Sequence, residues 1–120
     1  MILVDTSVWA DHIRKRNEMM VLQMGGNKVL IHPFVIGELA LGNLHNREVY
    51  FASWNNLPHA KLAQDAEVFK MIEFNKLYGT GIGYVDAHLL ASARLSHAKL
   101  WTHDKRLHAV ATNLGLAELY

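Results

Sequence analysis

Short apolar runs that stop at a polar residue able to start a helix recur along this chain, and that alternation restricts the fold more than any other feature of the sequence. The first is Met1 to Val4, followed at once by Asp5-Thr6-Ser7. A run of this length reads as a buried strand, and Thr6 or Ser7 can cap a helix passing through Trp9 and Ile13. A second, weaker strand is expected over Val29 to Ile31. It precedes Pro33, whose fixed φ and missing N–H suit the first turn of a helix reaching about Leu44. Glu48 to Trp54 reads as another helix, and Leu57 to Leu62 fits either state. Val68, Ile72 and Leu77 give Gln64 to Tyr78 helical spacing, with Gly79 as the stop. A helix from about Tyr84 to Leu95, a strand at Lys99 to Trp101, a helix from about Lys105 to Asn113 and a short strand near Leu116 to Leu119 follow. Strands alternating with helices predict an α/β fold, a central parallel sheet with helices on both faces.

At 120 residues and 51% hydrophobic, the chain is read as a single domain over residues 1–120 with one core. Its apolar runs stop far short of the roughly 18 residues that cross a bilayer, so no membrane association is expected. Asp5 interrupts the amino terminus before a secretory signal could form, which makes the expected location the cytoplasm. Zero cysteines exclude disulfides, thiolate nucleophiles and zinc held by sulfur. Any metal must therefore be bound by oxygen or imidazole. A net charge of +1 does not advertise a phosphate-binding surface, but such a total can hide acids gathered in one place with Lys and Arg around them.

Four carboxylates stand out among eleven Asp and Glu: Asp5, Glu38, Asp86 and Asp104. Asp5 and Asp104 follow predicted strands, where open α/β sheets place their ligands. Glu38 shares helical spacing with Phe34, Val35, Leu41 and Gly42, and Asp86 with Ile82, Leu89, Leu90 and Ala93, so both are expected on apolar stripes pointing inward. Taken singly, Asp5 and Asp104 could be helix caps, Asp86 a first-turn acid favoured by the helix dipole, and Glu38 the partner of a distant Arg. Taken together, two inward acids and two strand-end acids require a shared positive charge, because burying unpaired carboxylates costs several kcal/mol each, to order of magnitude. A divalent cation answers all four. Oxygen-only ligation suits Mg²⁺ or Mn²⁺, and the implied chemistry is hydrolysis of a phosphodiester. Thr6, Ser7 and Thr102 lie beside these acids and could order them, or could cap helices.

The segments Met1-Ile2-Leu3-Val4-Asp5-Thr6-Ser7-Val8-Trp9, Ile36-Gly37-Glu38-Leu39, Val85-Asp86-Ala87-His88-Leu89-Leu90-Ala91-Ser92-Ala93 and Trp101-Thr102-His103-Asp104 resemble, in order, the four acidic motifs of PIN domains. The compact length is similar to that of the VapC toxins of toxin–antitoxin pairs. This resemblance implies a three-layer α/β/α sandwich and cleavage of single-stranded RNA with Mg²⁺ or Mn²⁺, leaving 5′-phosphate and 3′-hydroxyl ends. It also implies a homodimer and inhibition by a cognate VapB-type antitoxin. Asp5, Glu38, Asp86 and Asp104 carry over as catalytic, metal-binding acids, with Thr6 and Thr102 as lesser candidates.

Other residues invite weaker readings. Arg14-Lys15-Arg16 and Lys105-Arg106 could hold RNA phosphates, or could form solvated faces. Trp9 and Trp54 could stack on bases, whereas Trp101 reads as core. A zinc site on His97, His103 and His108 matches no ligand spacing, His103 is given no role, and His88 could touch RNA. Gly79-Thr80-Gly81-Ile82-Gly83 lacks the preceding strand and following Gly-Lys-Ser/Thr of a phosphate loop, and reads as a helix stop and connection. An aspartyl phosphatase built on Asp5 would want an acid where Ser7 stands, and a phospho-receiver would want an early acidic pair.

Overall fold

The computed structural model describes all residues from Met1 to Tyr120. Strand β1 (Ile2–Val4) is buried at every position and pairs in parallel with β2 (Val29–Leu30) on one side and β3 (Lys99–Trp101) on the other. The order is β2-β1-β3. Single parallel bridges, Ile31 to His59 and Leu100 to Ala117, extend this ladder at both edges. The chain thus moves outward from β1 to His59, then crosses back over β1 to reach β3. With right-handed crossovers that reversal puts helices on opposite faces. Helices α1 (Thr6–Arg14), α2 (Glu18–Gly25), α3 (Pro33–Ala40) and α4 (Arg47–Asn56) belong to the outward half. Helices α5 (Asp65–Phe74), α6 (Tyr84–Leu95) and α7 (Lys105–Asn113) belong to the return. α1 packs on α3, α5 packs on α6, and α6 lies against β1 and β3. This is the expected α/β architecture. Its core is continuous from Leu3 and Val4 through Trp54, Leu89, Leu90 and Leu100.

Several boundaries differ from expectation for local reasons. α3 stops at Ala40 rather than about Leu44, with Leu41 as its C-cap bonded to the Glu38 and Leu39 carbonyls. α5 stops at Phe74, and the left-handed residue that ends it is Lys76 (φ +54°), not Gly79. The Leu77 N–H closes back on the Ile72 carbonyl at 2.9 Å, the closing bond of a left-handed helix end. Leu116 to Leu119 forms one bridge rather than a strand, and Leu57 to Leu62 is extended, with Pro58 and Ala60 bonded to Ile31. α2 has no counterpart in the sequence reading. Asn17 caps it, accepting from the Met20 N–H at 3.1 Å, and Gly25-Gly26 releases it.

Candidate active site

The point where strand order reverses lies between β1 and β3, and a crevice outside their carboxyl ends is the expected ligand position in such sheets. Asp5 leaves β1 there and Thr102 leaves β3. The Thr102 hydroxyl donates to Asp5 Oδ2 at 2.7 Å, and the Ser7 hydroxyl donates to the same oxygen at 2.7 Å. Asp5 is 5% exposed and is not capping α1, because its side chain bonds no backbone N–H. The network continues through the two hydroxyls: the His103 N–H donates to Ser7 Oγ and the Asp104 N–H to Thr102 Oγ1, each at 3.0 Å. Parallel pairing of β1 with β3 thereby fixes the three consecutive residues Thr102, His103 and Asp104 relative to Asp5.

Asp104 does cap α7, accepting from the Leu107 N–H at 3.0 Å, so the capping reading is correct for one of its oxygens. Asp86, in the first turn of α6, accepts from the Gly83 N–H at 3.0 Å. Glu38 corrects an expectation: it is exposed, and the buried positions of α3 are Val35 and Leu39. Phe34 and Leu41 are themselves exposed, so the apolar spacing that placed Glu38 inward follows a surface stripe. Its Oε1 accepts from the Thr6 hydroxyl at 2.7 Å, which ties α3 to the first residue of α1. Electrostatics join these groups. Asp86 is held above the ordinary carboxylate range chiefly by burial; the Gly83 N–H opposes this, and the charges of Asp5, Asp104 and Glu38 add to it. The four acids therefore occupy one neighbourhood.

Each of them spends one oxygen on an internal donor and leaves the other without a hydrogen bond. As the side chains stand, no three converge on a common point, each being turned toward the donor just named. The donor set, oxygen only and multiply negative, fits a hard divalent cation.

The sequence profile of the PIN domain matches residues 2–113. The chain belongs to the PIN-domain family. Within that family it is of the VapC type: Ribonuclease VapC32 of Mycobacterium tuberculosis, in two strains, is 42% identical over 118 residues, covering 98% of this chain and 95% of the relative. The crystal structure of FitAcB from Neisseria gonorrhoeae shares the fold, with a TM-score of 0.65 at 21% identity over 93% of this chain and 94% of that one.

Around the acids of this PIN domain the basic clusters divide. Arg14 pairs with Asp11 and Arg16 with Glu18 at 3.0 Å, while Lys15 is exposed at the end of α1. Lys105 and Arg106 open α7 directly after Asp104 and enter no ion pair. Trp9, Trp54 and Trp101 are all buried, so the base-stacking reading of Trp9 and Trp54 is withdrawn in favour of packing. His88 is buried too, 3.0 Å from Asp65 Oδ1 beside the Tyr84 hydroxyl, and cannot reach RNA. His97, His103 and His108 assemble no zinc site. His103, given no role from sequence, stands 2.6 Å from Asp11 Oδ2 through its Nδ1 and holds that carboxyl below the usual range by hydrogen bonding. Its partner lies 92 residues away in sequence, and no local signal announces the pair.

Proposed function

We propose that this PIN domain is a metal-dependent endoribonuclease acting as the toxin of a VapBC-type pair, working as a cytoplasmic homodimer. The observation that carries the reading is the gathering of Asp5, Glu38, Asp86 and Asp104 at the point of strand reversal, in a chain 42% identical to a ribonuclease. Asp5, Asp86, Asp104 and Glu38 would hold Mg²⁺ or Mn²⁺, which supplies Lewis-acid stabilisation of charge on the phosphoryl group.

The chain's own contribution is to anchor each acid at the crevice. Ser7 and Thr102 fix the Asp5 carboxylate by two hydroxyl donors, Thr6 fixes Glu38, and the Gly83 and Leu107 N–H groups orient Asp86 and Asp104. Each acid keeps one oxygen free of internal hydrogen bonds, and a shared cation would require those side chains to turn toward a common point. Without the cation the same negative field repels RNA phosphates, so cation and substrate bind cooperatively. A purified chain should cleave single-stranded RNA in Mg²⁺ or Mn²⁺, stop when the metal is chelated with EDTA, and resume on readdition. Full activity of metal-stripped protein would overturn the mechanism. Lys15 and Lys105, which enter no ion pair, serve as more distant phosphate contacts, whereas Arg14 and Arg16 are engaged by Asp11 and Glu18.

A further inference from the structure

Arg106 is an anomaly of charge placement. It lies in the first turn of α7, the positive end of the helix dipole, where cations are disfavoured and where the N-cap Asp104 is the acid beside it. No ion pair or hydrogen bond engages its guanidinium, although Asp104 stands two residues before it. The side chain is exposed and makes one close packing contact. It lies against the backbone of Gly81: a Cβ built on that glycine would come 2.8 Å from Arg106 Cδ, 3.0 Å from Nη1 and 3.2 Å from Nε. Gly81 has φ +86°, the left-handed region, so the missing side chain serves both the turn and the seating of the arginine.

The placement of this contact is what gives it meaning. Gly81 is two residues before Gly83, whose N–H holds Asp86, and Arg106 is two residues after Asp104. The seat therefore joins the two elements that carry Asp86 and Asp104 and leaves an unpaired planar cation at the border of the acidic cluster. An exposed guanidinium placed this way offers its N–H fork to an anion.

We propose that Gly81 is a positioning residue whose bare backbone seats Arg106, and that Arg106 so seated binds an RNA phosphate next to the one being cleaved. The proposal rests on the ribonuclease reading and names a substrate contact within it. The glycine-rich segment 79–83 is then a support for the arginine rather than a plain connection.

Binding of a short fluorescent single-stranded RNA in Ca²⁺, and its cleavage in Mg²⁺ or Mn²⁺, test this on the full chain. Arg106→Ala should weaken binding about 5- to 30-fold, lower the salt dependence of log K by about 0.7, and raise KM more than it lowers kcat. Arg106→Lys should recover only part of the loss. Gly81→Ala should reproduce the Arg106→Ala defect, and the double variant should be no worse than Arg106→Ala alone. If Gly81→Ala does not fold, as circular dichroism would show, the exposed Arg106 variants decide the matter. Unchanged affinity and salt dependence in Arg106→Ala, with active wild type, overturns the proposal and leaves the ribonuclease reading standing. Strictly additive losses overturn the Gly81 seat. A wild-type chain that neither binds nor cuts RNA overturns both.

Discussion

At the scale of single residues, Asp5 is the acid whose surroundings are most fully built. Asp5→Asn should preserve the fold and abolish cleavage. Thr102→Val, which removes one of its two hydroxyl donors, should cost about 10- to 100-fold in metal affinity or turnover, measured by metal titration of RNA cleavage. Wild-type turnover in both variants would remove Asp5 from the site. A second residue, His32, is independent of the acids. It caps α3 by accepting from the Phe34 N–H through Nδ1 at 3.0 Å, and burial lowers its pKa from 6.5 to about 4, with the charges of His88 and His59 adding to the effect. The unfolded chain therefore binds the extra proton first as pH falls, and stability is lost between about pH 6.5 and 4. The full linkage corresponds to roughly 3 kcal/mol. His32→Asn retains a capping acceptor and should flatten that part of the stability-against-pH curve in urea unfolding; an unchanged slope would assign the acid loss to other groups.

At the scale of elements, the sequence disclosed what is periodic and hid what is positional. Strand β1 and helix α6 were legible because their burial follows from apolar runs and helical spacing. Asp5, Asp86 and Asp104 were legible because each stands at the start of a helix, after a strand or a turn. Glu38 was found with the wrong orientation, since the apolar residues Phe34 and Leu41 on its face are exposed. Helix ends were harder, because the stop of α5 was expected at Gly79 and the chain takes the left-handed conformation at Lys76 instead, as it does at His97 after α6, where no stop residue was read. This substitution of ordinary residues for glycine has a measurable cost. Lys76→Gly should stabilise the protein by about 1 kcal/mol, read as a higher urea midpoint with unchanged m-value. A lower midpoint would mean that the Lys76 side chain contributes more than its backbone strain removes. Contacts such as Asp11 with His103, or Gly81 with Arg106, could not be read at all, for they depend on how distant elements are laid side by side.

At the scale of the molecule, a concentrated acidic site in a chain of net charge +1 is an invitation to a cationic inhibitor as well as to a metal. An antitoxin that presents Arg to Asp5, Glu38, Asp86 and Asp104 would satisfy their free oxygens with paired N–H donors and exclude the cation. Expression of the chain alone should arrest bacterial growth, Asp5→Asn should relieve the arrest, and co-expression with the cognate antitoxin should give a stable, inactive complex. A folded, metal-loaded chain that is harmless to cells and cuts no cellular RNA would refute the toxin role while leaving the fold intact. The strand reversal has a further consequence for when such a protein becomes dangerous. Asp5 and Glu38 come from the outward half of the chain and Asp86 and Asp104 from the returning half; α6 carries Asp86 against β1, and Asp104 joins only when β3 docks beside β1. A half-folded chain carries half a site. The full set of four acids is therefore complete only once β3 is paired, and any activity that needs all four would begin at that step.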